Sequence, residues 1–257
     1  MTFAVAAEAY DRFVGRYGEG LARGLVAAAG LQTGRALDVG SGPGALTRVL
    51  ADRLGPEHVC AVDPSEPFVS ALRERLPGVD ARVASAEALP FADGEFDAAL
   101  SQLAVNFMAD PEAGVAEMRR VVRPGGAVGA SVWDYPGEMT LLRAFWEAAA
   151  ALEPELVAAR DERAVMSFDD EGELAGLWRR AGLEDVEEGE LLVAASYESF
   201  DDLWAPLELG VGPAGAYVVS LDPARREALQ TELHRRLGAP EGPFELSARA
   251  WYAVGTT

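Results

Sequence analysis

Residues 37 to 44, Leu37-Asp38-Val39-Gly40-Ser41-Gly42-Pro43-Gly44, limit what this chain can fold into more than any other segment. A short apolar run ending in an acid, followed by glycines at alternate positions, describes a buried strand that turns sharply. Such a turn brings bare backbone close to a ligand before a helix begins. That helix is expected at Ala45 to Leu54, with Leu46, Val49 and Leu50 on one face and Gly55-Pro56 ending it. A nucleotide-like ligand is the first candidate. Gly40, Gly42 and Ala45 also satisfy the looser G-x-G-x-x-G/A pattern that cradles a pyrophosphate, and glycine turns without any ligand exist too.

Two acids narrow the choice. Asp38 stands two residues before the first glycine, where a carboxylate would repel a pyrophosphate and attract an ammonium group. Asp63 ends a second apolar run, Val59-Cys60-Ala61-Val62, and is placed to accept hydrogen bonds from ribose hydroxyls. Each has a plainer alternative: Asp38 can bond the N–H groups of its own loop, and Asp63 can cap a helix over Ser65 to Leu76.

Three further segments carry a family pattern: Val83 to Phe91, Phe96 to Ser101, and Glu117 to Gly126, the last ending Arg123-Pro124-Gly125-Gly126. With the glycine loop they stand in the order seen in class I S-adenosylmethionine-dependent methyltransferases. The chain resembles the small-molecule branch that includes ubiquinone and menaquinone methyltransferase-like enzymes, from about Tyr10 to Trp133. The resemblance implies that Gly40, Ser41 and Gly42 line the methionine part of the cofactor while Asp38 supports its ammonium. It implies that Asp63 and the following Pro64 hold the ribose side, that Ser85, Ala86 and Glu87 flank adenine, and that Ser101 and Gln102 lie beneath the sulfonium. Many relatives have Gly-Asp-Ala-Glu where this chain has Ala84-Ser85-Ala86-Glu87, so adenine recognition would lean on backbone groups.

The chain has 257 residues, enough for one enzyme domain with an embellishment. Its 22 basic residues are all Arg, and against 42 acids the net charge is −20. Neutralising phosphates needs an excess of basic groups, so nucleic acid is not an expected partner. The segment after the fourth expected strand, Ser101-Gln102-Leu103-Ala104, also differs from the Asn/Asp-Pro-Pro-aromatic tetrapeptide of enzymes that methylate base amino groups. A lone Cys60 allows no internal disulfide. Met1 to Glu8 lacks the pattern of a secretion signal, and no 18-residue apolar run exists, so a cytoplasmic protein with no membrane partner is expected.

Strand and helix signals alternate through Arg35 to Val39, Ala45 to Leu54, Val59 to Asp63, Pro67 to Leu76, Ala81 to Ser85, Phe96 to Ser101, Pro111 to Val122 and Ala127 to Trp133. This βαβα order predicts an α/β fold. With the resemblance, it becomes a doubly wound, Rossmann-like, mostly parallel seven-stranded sheet with an antiparallel edge strand. An N-terminal helix over Ala6 to Ala29, carrying Tyr10 and Tyr17, would lie across the cofactor as a lid. Residues 1–135 would be lid and cofactor core. Residues 136–257 would complete the sheet, through strands near Val186 to Ala195 and Ala248 to Val254, and carry a helical cap inserted late in the chain. That cap is expected from Met139 to Phe168 and Ser199 to Pro243, with Leu209 to Gly215 as a loop.

Methyl transfer from a sulfonium needs positioning more than a catalytic group, worth roughly 7–11 kcal/mol. No single base stands out: His58 precedes the second strand, away from the site, and His234 sits on a polar helix, Ala224 to Leu237. No cluster has metal-ligand spacing. The cap aromatics Trp146, Phe168, Trp204 and Tyr217, with Trp133, are expected to wall an acceptor pocket. The reading is a methyltransferase acting on a small organic acceptor at O, N or C. The alternatives are a protein that binds the cofactor without transfer and, further off, a nicotinamide-dependent oxidoreductase.

Overall fold

The computed structural model describes residues 7–157, 160–162 and 166–257. Ala6, the first residue of the expected lid helix, and residues 158–159 and 163–165 of the expected cap lie outside the described residues, as do Met1 to Val5.

The described residues form a seven-stranded sheet in the order β3-β2-β1-β4-β5-β7-β6. The strands are β1 (Ala36–Val39), β2 (Val59–Asp63), β3 (Asp80–Val83), β4 (Phe96–Gln102), β5 (Val122–Trp133), β6 (Glu184–Tyr197) and β7 (Phe244–Thr256). The first five pair in parallel, with Leu37 opposite Cys60 on one side and Ala99 on the other. β7 runs antiparallel between β5 and β6. Every residue of β1 and β2 is buried, as expected for parallel strands covered by helices on both faces. Burying a side chain such as Leu37 is worth about 1.5–3 kcal/mol. β6 is the outer edge, and its exposed Glu184, Asp185, Glu187, Glu188 and Glu190 discourage further strand pairing.

The helices of the parallel half fall close to expectation: α3 (Ala45–Leu54), α4 (Glu66–Arg75) and α5 (Pro111–Val121). The N-terminal segment does not. Instead of one helix over Ala6 to Ala29, the structure has α1 (Ala7–Arg12), a 3-10 turn over Val14–Tyr17, and α2 (Gly18–Ala28). The break lies at two glycines. A Cβ on Gly15 would stand 3.0 Å from the Tyr10 carbonyl oxygen, and one on Gly18 would stand 2.8 Å from Ala45 Cβ. Close packing on α3 thus overrides the helical stripe. A second difference is β5, which starts at Val122 rather than Ala127. Backbone bonds from Gly125 N to Thr257 O (2.9 Å) and from Thr257 N to Gly126 O (3.1 Å) pull the Pro-Gly-Gly segment into the sheet.

Between β6 and β7, three helices occupy Phe200–Glu208, Gly212–Ser220 and Pro223–Arg236. The expected loop at Leu209 to Gly215 is shorter than read, because Pro213 in the first turn starts a helix at Gly212. These helices share one hydrophobic cluster with α6 (Thr140–Leu152) and with Phe13, Tyr17 and Leu21 of the N-terminal segment. Arg16 ties the two parts together through a 2.6 Å ion pair to Asp202.

Candidate active site

The chain winds from β1 outward to β3 and then returns to β4 on the other side of β1. The strand order therefore reverses between β1 and β4, where a crevice opens beyond the carboxyl ends of the strands. Gly40, Gly42 and Gly44 all adopt positive φ there, at 73°, 52° and 101°. The loop is clamped to β2 because the N–H groups of Gly40 and Ser41 both donate to Val62 O, at 2.8 and 3.0 Å. A Cβ on Gly40 would collide with the Cβ of Ala104, whereas one on Gly42 would meet nothing within 4 Å. Gly40 is therefore a packing position, and Gly42 borders open space.

Asp38 lies at the inner end of this space and is fully buried. Thr47, in the first turn of α3, donates to its Oδ2 at 2.6 Å, while Oδ1 has no partner. Burial pushes this carboxyl up to about 7, against the bond from Thr47. Asp63 is held differently. Its Oδ2 accepts from Gly42 N and its Oδ1 from Ser65 N, both at 2.8 Å, so it pins the glycine loop as well as the start of α4. Burial raises its pKa while those two N–H donors oppose the rise. Asp63 is not the helix cap: the N-cap of α4 is Ser65, which has no side-chain cap bond, and Asp63 holds the Ser65 N–H ahead of the helix while each of its oxygens keeps a lone pair for a further donor. Glu87 takes the hydroxyl of Ser85 and the N–H groups of Ala109 (2.9 Å) and Asp110 (3.3 Å). These bonds outweigh its burial and keep its carboxyl below the usual range.

At the end of β4, Gln102 donates from Nε2 to Gly18 O at 3.0 Å, joining α2 to the sheet. Leu103 follows with φ 59°, a left-handed conformation costing a branched residue about 1–2 kcal/mol. A 2.8 Å bond from its N–H to Ser131 O holds it there. Strain of this kind, held by the surrounding structure, gathers at functional sites.

These elements enclose a cavity of about 580 Å³, within the range of small-molecule sites. Asp38, Gly40, Ser41, Gly42, Asp63, Pro64, Ser85, Ala86, Glu87, Gln102 and Tyr10 all line it. Asp38 Oδ1, Ser41 Oγ and Gln102 Oε1 are buried there without partners. Three unpaired oxygens on residues that line one cavity suit a ligand rich in donors, such as one bearing an ammonium and hydroxyls. Among the described residues the lining has no Arg or His, and the chain has no Lys. A pyrophosphate would find no cationic partner in it.

The comparisons agree with this geometry. Residues 37–129 match the methyltransferase domain family. Over those residues the chain is similar to the class I methyltransferases. The cofactor of this class is S-adenosylmethionine, and the unpaired oxygens just described fit its ammonium and hydroxyl donors. Among curated relatives the domain is 39% identical over 119 residues to the malonyl-[acyl-carrier protein] O-methyltransferase of Salmonella typhimurium, covering 46% of each chain. The chain spans between 30% and 52% of the length of the relatives it matches first. Among solved structures it shares its fold with the [4+2]-cyclase SpnF: TM-score 0.56, 18% identity, 93% of this chain and 80% of that one. Another is the YcgJ protein of Bacillus subtilis, with TM-score 0.58, 16% identity, and coverage of 93% and 97%.

Several expected site residues of the methyltransferase domain lie elsewhere. Ser101 is buried within the sheet and lines no described cavity, because alternation along β4 turns Gln102 toward the crevice instead. Tyr17 is buried against Trp133 and lies 3.3 Å from the Tyr197 hydroxyl, since the break before α2 turns it into the cap cluster. Trp146 and Tyr217 pack against Phe145, and Trp204 stacks on Phe200, so all three fill the core between cap and sheet. Phe168 has φ 67° and packs against the other cluster, under the sheet. Trp133 alone of the five proposed acceptor aromatics borders a cavity, a chamber of about 30 Å³ beside the main one. Trp204→Ala is accordingly expected to lower stability by about 3–5 kcal/mol, read by denaturant unfolding, through loss of packing.

Sequence reasoning missed Thr47, Phe68, Leu103, Phe107, Tyr135 and Glu162. Thr47 had a usable signal, since a small hydroxyl one turn into α3 faces back to Asp38. Glu162 had none, being one acid in an acidic, aperiodic stretch.

Proposed function

We propose that this protein transfers a methyl group from S-adenosylmethionine to a small organic acceptor at an oxygen, nitrogen or carbon nucleophile. The observation that carries the reading is the buried, half-paired Asp38 among the lining residues of a cavity bordered by Gly42, where backbone leaves room for a ligand. Asp38 would hold the ammonium of the cofactor, Asp63 the ribose hydroxyls, and Ser85, Ala86 and Glu87 would flank the adenine. When bound, the cofactor supplies a methyl group already activated on a sulfonium. The protein's task is then alignment, and the rigid turn at Leu103 and Ala104 would set the floor against which the acceptor approaches. The acidic surface and a cavity lining without basic side chains favour a small acceptor over nucleic acid. No helix among the described residues is long and apolar enough to cross a membrane, in keeping with action in the cytoplasm.

Titration calorimetry with S-adenosylmethionine and with NAD, followed by an assay for release of the demethylated cofactor over a panel of acceptors, tests the proposal. Binding of NAD but not S-adenosylmethionine would overturn it. Binding without transfer to any acceptor would leave a cofactor-binding protein, a reading the shared fold with a cyclase keeps in view. Asp63→Ala is expected to weaken cofactor affinity at least tenfold by calorimetry. It would remove a charged acceptor for the ribose and also free the Gly42 N–H that positions the loop.

A further inference from the structure

The small chamber adjoins the cofactor cavity, and Tyr10, Val14, Leu103 and Phe107 line both. Its remaining wall is mostly apolar, with Trp133 and Leu142 among it, and contains one charged side chain, Glu162. Glu162 is buried, and Trp146 donates to its Oε2 at 2.8 Å, fixing the carboxyl from behind. Tyr135 stands in the same wall, with its hydroxyl accepting from Asn106 Nδ2 at 3.4 Å. Among the described residues neither cavity lining has an Arg or His, and the chain has no Lys. A buried carboxylate beside the cofactor cavity, with no cation among the described lining residues, favours a protic ligand group and repels an anionic one.

Resting on the methyltransferase reading, we propose that this chamber takes the reacting end of the acceptor, an uncharged O–H or N–H group on a small apolar ring, and that Glu162 is its general base. The X–H bond breaks and its proton passes to a carboxylate oxygen of Glu162. The electron pair left on X forms the bond to the methyl carbon as the S–C pair returns to sulfur. Burial, reinforced by the charge of Asp161 and opposed by the Trp146 donor, brings the Glu162 carboxyl up to about 7, matched to a base working near neutrality. Among the described residues the other titratable groups around it are the hydroxyls of Tyr10 and Tyr135, both held neutral by burial, with Asp169 acting on Tyr135. None of these replaces Glu162 as the group that ionises near pH 7 beside the chamber; Asp169, at about 6, lines neither cavity.

Three probes of one shape separate the possibilities: 4-methylphenol, 4-methylaniline and 4-methylbenzoate, whose reacting groups are a hydroxyl, an amine and a carboxylate. Their binding to the full chain, loaded with S-adenosylhomocysteine, is read by tryptophan fluorescence from pH 6 to 9. At pH 8 the phenol or the aniline is expected to bind at least tenfold more tightly than the benzoate, and whichever of the two binds better assigns oxygen or nitrogen. In Glu162→Gln, which can keep the Trp146 bond, the preference should shrink to within about threefold and its rise through pH 7 should vanish. Affinity for S-adenosylhomocysteine should stay within about threefold. Equal binding of the three probes, binding of none, or an unchanged preference and pH profile in Glu162→Gln would overturn the assignment. Should Glu162→Gln fail to fold, the wild-type preference and its rise through pH 7 decide alone. Failure of the wild-type chain to bind S-adenosylhomocysteine would instead overturn the methyltransferase reading beneath it.

Discussion

Replacing Gly42 by Val is expected to abolish measurable binding of S-adenosylmethionine, a loss of at least 100-fold by calorimetry, while the far-ultraviolet circular dichroism stays near that of the parent. Gly42 has φ 52°, and nothing lies within 4 Å of the place a Cβ would occupy. A branched side chain would therefore fill cavity rather than collide with protein, and the volume it fills is where a ligand must approach the loop. The left-handed backbone adds a cost of about 1–2 kcal/mol for a residue with a Cβ, which should appear as a modest fall in stability. Gly42→Ala separates the two effects. It carries the same backbone cost with a smaller group in the cavity, so it should match the valine variant in stability more closely than in affinity. Normal binding by the valine variant would reduce the glycine to a turn residue.

The second large effect is expected at Asp38. Asp38→Asn should lower cofactor affinity at least 100-fold, because a buried ammonium would lose its counter-charge, a change worth roughly 3–5 kcal/mol. The pH dependence carries the sharper test. With its carboxyl up to about 7, Asp38 in the free protein is protonated in acid and ionised above neutrality. Affinity for a cationic group should then fall by up to tenfold for each unit below pH 7, with proton release on binding, and the asparagine variant should lose this dependence. The sign for folding is opposite. A carboxyl whose folded pKa exceeds its ordinary value makes the fold more stable at low pH, and that contribution disappears as pH rises from about 4 to about 7. Free protein should therefore lose stability over the window in which cofactor binding gains strength. A pH-independent affinity in the parent would remove Asp38 from the ammonium site.

Legibility in the sequence followed the range of the interactions. The order β1-α3-β2-α4-β3 and the span Ala45–Leu54 could be read almost to the residue, because apolar period, glycine punctuation and helix stops are local signals. So could the grouping of the glycine loop with Asp63 and Ser85, since parallel strands place successive carboxyl ends on one edge of the sheet. The N-terminal helix could not. Its apolar stripe is continuous, and the break at Gly15 and Gly18, one packed on the Tyr10 carbonyl and the other on Ala45 of α3, arises only in the folded chain. The acceptor aromatics could not be assigned either. Trp146, Trp204 and Tyr217 are large and lie in the added segments, yet whether a ring lines a cavity or fills a core depends on what packs on its other side.

The sequence by itself therefore determined the parallel half of the sheet and the residues that gather around the glycine loop, since these rest on spacing along one chain, while the cofactor class came from the family resemblance. Only the tertiary structure decided that Asp38 is half-paired and buried, that Asp63 clamps the glycine loop, and that Glu162 borders the small chamber beside the cavity. Each depends on a partner 9, 21 or 16 residues away, Thr47, Gly42 and Trp146, brought close by packing, and of the three only Thr47 left a signal in the sequence.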